Sequence, residues 1–199
     1  MIRYELFNRL NTGASPLSEQ EIRNCIFRSY PIDLNQVLRD TASLPAFEEL
    51  ISPSASKKEQ MFLEELSLRF FAFKSLEDEF RKTVPQFLTE FMRDVSNGKK
   101  SFNLELEKEN LFDLITILNK KYGKKLFRPK GNFALHIFDS IAYALPKVID
   151  SFTGNEKDIF NKIDALLADE QYNSIGTSTF SNARIKNRMN RALEIFQSA

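Results

Sequence analysis

The stretch Phe133-Ala-Leu-His-Ile-Phe-Asp-Ser-Ile-Ala-Tyr-Ala-Leu-Pro-Lys-Val-Ile149 sets the reading of the whole chain. Phe133, Ile137, Ile141, Leu145 and Ile149 recur every four residues, the spacing of a helix with one buried face. The same stripe runs through Phe62, Leu66, Phe70 and Phe73, through Leu111, Leu114, Ile115 and Leu118, and through Ile159, Ile163 and Leu167. It returns in Ile185, Met189, Leu193 and Phe196. Strand-like alternation is confined to Phe102-Asn103-Leu104-Glu105-Leu106, and only four valines occur, so a sheet has little to be built from. The expected fold is all-α: one Phe-rich domain over residues 1–199, of nine or ten helices with short connections.

Turn chemistry marks the segments. A first helix is expected over Ile2–Asn11, stopped by Thr12-Gly13. Ser18 followed by Glu21 has the form of a capping box, opening a second helix that runs to about Arg28 and is broken by Tyr30-Pro31. Short helices follow at Leu34–Thr41 and Ala46–Ile51, then a loop at Ser52–Ser56. Helices are expected next at Lys58–Lys74, Leu76–Thr83 and Pro85–Ser96, with Pro85 in a first-turn position. The remaining ones are Leu104–Tyr122, Phe133–Ser151, Lys157–Glu170 and Ser181–Gln197. If the domain subdivides, the turn Asn97-Gly98-Lys99-Lys100 is the place, because the charge balance shifts from acidic to basic across it.

Composition narrows the function classes. The chain has 199 residues, with 28 Lys+Arg against 27 Asp+Glu, so no global field draws it to nucleic acid or membrane. Its single cysteine, Cys25, cannot form an intramolecular disulfide, which fits a reducing cytosol. Cys25 itself reads as a small core residue. One histidine, His136, leaves nothing for a zinc site, and no metal site is expected. His136 reads as a partly buried, satisfied side chain. No apolar run approaches the ~18–20 residues of a membrane helix, so no membrane partner and a cytoplasmic location are expected. The 19 phenylalanines, with no tryptophan, suit helix–helix contacts packed dry. The acidic groups Glu64/Glu65, Glu77-Asp78-Glu79 and Asp169/Glu170 read as solvated helix faces.

The most informative segment is Tyr4-Glu-Leu-Phe-Asn-Arg-Leu-Asn-Thr-Gly-Ala-Ser-Pro-Leu-Ser-Glu-Gln-Glu-Ile-Arg-Asn24. It resembles the signature F-x-R-L-N-T-G-G-x-x-L-S-x-Q-E-I-R-N of the ParB-like N-terminal domains in the GmrSD family of modification-dependent restriction endonucleases. Ala14 stands where the second glycine is usual. Other segments resemble the helical half of those domains: Leu66-Ser67-Leu68-Arg69-Phe70-Phe71-Ala72, Phe87-Leu88 with Phe91-Met92, Gly123 with Phe127-Arg128, Asn132 with Ala134 and Phe138-Asp139, and Thr179 before a basic helix holding Arg184-Ile185. The likeness spans essentially the whole chain. The family's Asp-Gly-Gln-Gln-Arg motif, which serves nucleotide binding and hydrolysis, has no counterpart here, nor do the paired histidines of its HNH nuclease domain.

The resemblance therefore implies a non-catalytic helical part of an anti-phage restriction system, supporting nucleotide sensing and DNA engagement by a catalytic half. No catalytic residue is expected in this chain. Nucleoside triphosphate and a divalent metal would enter only with that half. The alternative is a stand-alone helical DNA- or protein-binding module, or an inactive remnant. Expected partners are the catalytic half, or a second copy through the first two helices, and DNA.

Two groups of residues are candidates. Arg9, Asn11, Thr12, Gly13, Gln20, Glu21 and Arg23 either complete a nucleotide pocket or partner-half interface, or form a helix-turn-helix corner in which an arginine pairs with Glu19 or Glu21. The arginines supply bidentate donors, and the helix opening at Ser18 supplies free amides. The second group is basic: Lys120, Lys121, Lys124, Lys125, Arg128 and Lys130 lie within eleven residues with no acid among them. Arg184, Arg188 and Arg191 share a helix face at spacings of four and three. Such clusters neutralise phosphates and release counterions; the plainer alternative is a solvated helix end. The nucleic-acid reading gains if the two basic groups lie side by side.

Overall fold

The computed structural model describes residues 16–76, 82–149 and 156–198. These residues form eleven α-helices and two 3-10 turns, with no strand among them and one isolated bridge between Lys130 and Asn132. The all-α expectation holds. The helices are α1 (Glu19–Phe27), α2 (Leu34–Ala42), α3 (Pro45–Ile51), α4 (Ala55–Glu59), α5 (Phe62–Lys74), α6 (Val84–Ser96), α7 (Leu104–Tyr122), α8 (Leu135–Ala144), α9 (Glu156–Ala168), α10 (Glu170–Ser174) and α11 (Asn182–Gln197). The expected helix Ile2–Asn11, and with it the first of the two helices of the expected self-association, lies outside the described residues. So does most of Leu76–Thr83.

Local chemistry explains most boundaries. At α1 the Glu21 amide donates to Ser18 Oγ (3.2 Å) and the Ser18 amide donates to Glu21 Oε2 (2.7 Å), the reciprocal capping box. Asn103 is no strand residue: its Oδ1 accepts from the Leu106 amide (3.2 Å) and starts α7. Helix α7 stops where Gly123 adopts φ +51° and ψ −150°, a conformation essentially restricted to glycine.

Two short helices fall where no period is long enough to announce them. Within the expected Ser52–Ser56 loop, Ser54 caps α4. Asp169 Oδ1 accepts from the Tyr172 amide (2.6 Å) and starts α10, where one longer helix had been expected to end. The expected helix Lys58–Lys74 is interrupted at Met61, whose φ of +55° breaks the α-ladder. Pro146 turns the end of α8 into the 3-10 turn Leu145–Lys147, shortening the expected Phe133–Ser151 helix.

The chain divides into two compact units: residues 1–68 with 85–124, and residues 69–84 with 125–199. The Asn97–Lys100 turn lies inside the first unit. There α7 packs on α3 and α2, burying Leu111, Leu114, Ile115 and Leu118 against Phe47, Leu50, Leu34 and Leu38. Each such side chain contributes about 1.5–3 kcal/mol on burial. In the second unit α8 packs on α11, placing Ile137, Ile141 and Ala144 beside Ile185, Met189 and Ala192. Helices α9 and α10 also pack on α11. No helix among the described residues is long and apolar enough to cross a membrane.

Candidate functional site

The second unit carries a cleft of about 740 Å³, assembled from two loops and the first turn of α8. The first loop is Leu126–Ala134. Its Arg128 amide donates to Lys125 O (3.1 Å), Gly131 donates to Arg128 O (3.1 Å), and Ala134 reaches back to Phe127 O (2.7 Å). This fold-back presents Lys130, Asn132 and Phe133 to the cleft. His136 and Ile137 follow from α8; Tyr172 and Asn173 come from α10, and Thr177 and Thr179 from the loop beyond it.

That second loop is held from beneath by Arg188. The residue is 2% exposed, and its guanidinium donates to the carbonyls of Gly176 and, at 2.8 Å, Ser178. Burial pushes its pKa down from the ordinary arginine value. Arg184, one turn earlier, is exposed. Its guanidinium passes over Gly176, where φ is +82° and a β-carbon would stand 3.7 Å from Nη1. Any other residue at this position is strained.

The floor is a hydroxyl relay. Tyr172 Oη donates to Ser140 Oγ (2.9 Å), and Ser140 donates to the His136 carbonyl (2.9 Å). Burial pushes the Tyr172 hydroxyl up to about 12, so it stays protonated. The His136 ring lies over that of Tyr172, with centroids 6.5 Å apart and planes 24° apart. Burial, reinforced by the charges of Arg188 and Lys130, pushes the imidazole down to about 4. Near pH 7 it is neutral and presents one donor and one acceptor nitrogen.

Lys130 belongs to the basic run and Arg188 to the last helix, and both act on the His136 ring. Each basic group thus has one member near His136: Lys130 in the cleft lining, and Arg188 buried beneath the second loop. Among the described residues lining it, none is acidic. Arg128 flanks it, with its guanidinium carbon 5.9 Å from the Phe133 ring centroid and Nη1 donating to Gly131 O (3.1 Å).

The other candidates fare differently. Lys120, Lys121 and Lys124 are exposed in the first unit, whereas Lys125, Arg128 and Lys130 belong to the second. Arg184, Arg188 and Arg191 do not form one cationic face. Arg188 falls in the buried sector of α11 with Ile185, Met189 and Ala192, and so cannot reach a phosphate. Arg191 is neutralised: Nε and Nη2 donate to the two oxygens of Asp169 (3.0 and 2.6 Å), and Nη1 donates to Glu194 (3.0 Å). The pair holds the Asp169 carboxyl below its usual range. Only Arg184 of the three faces solvent without a carboxylate partner among the described residues.

Arg9, Asn11, Thr12 and Gly13 lie outside the described residues. Of their companions, Glu21 closes the capping box and Gln20 is fully buried. Gln20 donates to Asn24 (2.8 Å) and accepts from Arg23 (3.2 Å), itself 1% exposed. Asn24 in turn donates to Glu64, whose carboxyl burial pushes up. Cys25 is exposed, not a core residue, because Ile22, Arg23, Ile26 and Phe27 take the inward face of α1.

Sequence reading missed the buried ion pair of Arg69 and Asp139. Arg69 Nη1 donates to both carboxylate oxygens (3.1 and 3.0 Å), joining α5 to α8 within the second unit. It also missed Tyr172 and the loop at 176–180, whose Phe180 is 90% exposed. Among the described residues no three His, Cys, Asp or Glu side chains converge as metal ligands. No protein-family model, no curated protein and no solved structure matches this chain.

Proposed function

We propose that this chain is the helical, non-catalytic part of a GmrSD-like modification-dependent restriction system, and that its own contribution is to engage nucleic acid. Nucleotide sensing and cleavage fall to a catalytic half carrying the motifs this sequence lacks. The likeness of Tyr4–Asn24 to the family signature supports the system to which it is assigned. The observation that carries the nucleic-acid reading is that exposed Lys130 lines a cleft with no acid among its described lining residues, while exposed Arg184, more than fifty residues away in sequence, lies against Gly176 of the same lining. Cations arranged in this way bind phosphates with release of counterions, giving affinity that falls steeply with salt.

The test is the salt dependence of DNA affinity, measured with the full chain and a labelled duplex. Binding should weaken linearly on a log–log plot, and the double variant Lys130→Ala/Arg184→Ala should flatten the slope by about 1–2. Replacing Lys120, Lys121, Lys124 and Lys125 with alanine reports separately on the remainder of the basic run. No measurable DNA binding at low salt, or a slope indifferent to both sets of substitutions, rejects the reading.

A further inference from the structure

We infer that the cleft between the Lys130 loop and the Gly176–Phe180 loop accepts one unstacked nucleotide of a single strand, with Phe180 stacking on a neighbouring base. The inference rests on the nucleic-acid reading above and adds the form of the ligand and the residues that select it. A base inside a duplex is stacked and paired, and cannot enter a concave site until it leaves the stack. A cleft of about 740 Å³ is within the range of small-ligand sites and has room for a base with its sugar.

The chemistry of the walls matches the parts of a nucleotide. Exposed Lys130 lines the cleft, and exposed Arg184 lies against Gly176 of its lining, two cations for phosphate. Within it, Asn132, Asn173, Thr177 and Thr179 offer donors and acceptors to the edge of a base. The neutral His136 adds one of each. Phe133 supplies an aromatic surface, backed by the Arg128 guanidinium.

Phe180 is the second, independent observation. It follows Thr179 of the cleft lining and leaves 90% of its surface in water, against 50% for Leu106 and 41% for Leu17, the other large apolar side chains exposed among the described residues. An aromatic ring beside a basic cleft is the combination by which single strands are held without base-specific readout. Among the described residues the cleft lining has no carboxylate to repel a phosphate, which also separates it from a site for cationic ligands.

The experiment uses the full chain with three probes: a labelled 15-nucleotide single strand, its duplex, and a free mononucleotide as competitor, all read by fluorescence anisotropy. The single strand should bind at least about tenfold more tightly than the duplex. Phe180→Ala should weaken the single strand about tenfold, the loss of one stacked base, and leave the duplex unchanged. Phe180 is exposed, so this variant should fold like the parent. The mononucleotide should displace the strand only at far higher concentration. Equal affinity for strand and duplex with no effect of Phe180→Ala overturns the inference while leaving the nucleic-acid reading standing. Displacement by mononucleotide at the strand's own concentration overturns the strand as the source of the ligand. Absence of binding to either form removes both readings.

Discussion

In the first unit, Arg23 is 1% exposed and lies in a cluster with Gln20, Asn24 and Glu64. In the second, exposed Lys130 lines a cleft with no acid among its described lining residues, and exposed Arg184 lies against Gly176 of that lining. Both regions are rich in polar and basic side chains, and both looked like sites in the sequence. The difference lies in what surrounds each charge. Where a buried arginine donates to a buried amide and has a carboxylate nearby, as Arg23 does with Gln20 and Glu19, it acts as structure. Where an exposed cation stands beside neutral donors, aromatic rings and other cations, with no carboxylate in the described lining, its charge faces solvent. The second unit repeats the contrast within one helix, since Arg188 and Arg191 are used internally and Arg184 is not.

Cations used internally should register in stability, and the most enclosed should register most. Asp139→Ala removes the carboxylate whose two oxygens accept from the buried Arg69, and should cost about 3–5 kcal/mol in urea unfolding. Replacing both with apolar residues of similar volume should recover most of that loss. A cost below about 1 kcal/mol for the single variant would mean that the pair is wetter than its geometry indicates.

Next in size is a comparison one turn apart on α11. Arg188→Met removes charged donors from the carbonyls of Gly176 and Ser178 and should cost about 2 kcal/mol. Arg184→Ala should lie within about 0.5 kcal/mol of the parent. Thermal or urea unfolding decides it, and equal costs would erase the distinction between the two arginines.

Much of this architecture was legible from spacing and caps. The four-residue stripe and the first-turn Pro85 placed α6 and α7 to within a residue, because each boundary is decided by its own neighbours. Helices α4 and α10 were not legible, since five residues carry no period and only the caps Ser54 and Asp169 mark them. The site was half legible. Charge runs drew attention to Lys130, which lines the cleft, and to Arg184, which lies against Gly176 of that lining, but helical spacing alone placed Arg188 on the same face. Whether an arginine faces solvent, a carbonyl or a carboxylate depends on which loop folds beneath it. Arg69 and Asp139 stand 70 positions apart, and nothing local links them.

A smaller effect sharpens the picture of the cleft itself. His136 is held near 4, against an ordinary value of 6.5, so it binds its proton less readily folded than unfolded. The stability this provides is complete above pH 6.5 and is lost as pH falls toward 4. Because the ring is only half-buried, the loss should be roughly 1–2 kcal/mol. Unfolding curves between pH 7 and pH 4 should show this slope in the parent and a shallower one in His136→Gln. Identical slopes would mean that the imidazole is freely solvated.

The most direct measurement sets Arg184→Ala against Arg191→Ala in the salt dependence of nucleic-acid binding. The two arginines lie seven positions apart on α11 and carry the same formal charge, but Arg191 is engaged by Asp169 and Glu194. Removing Arg184 should lower the log–log slope by about 0.7–0.9, the contribution of one phosphate contact, while removing Arg191 should leave it unchanged. Equal reductions in the two variants, or a reduction confined to Arg191→Ala, would contradict the view that the surroundings of a charge decide whether it binds ligand.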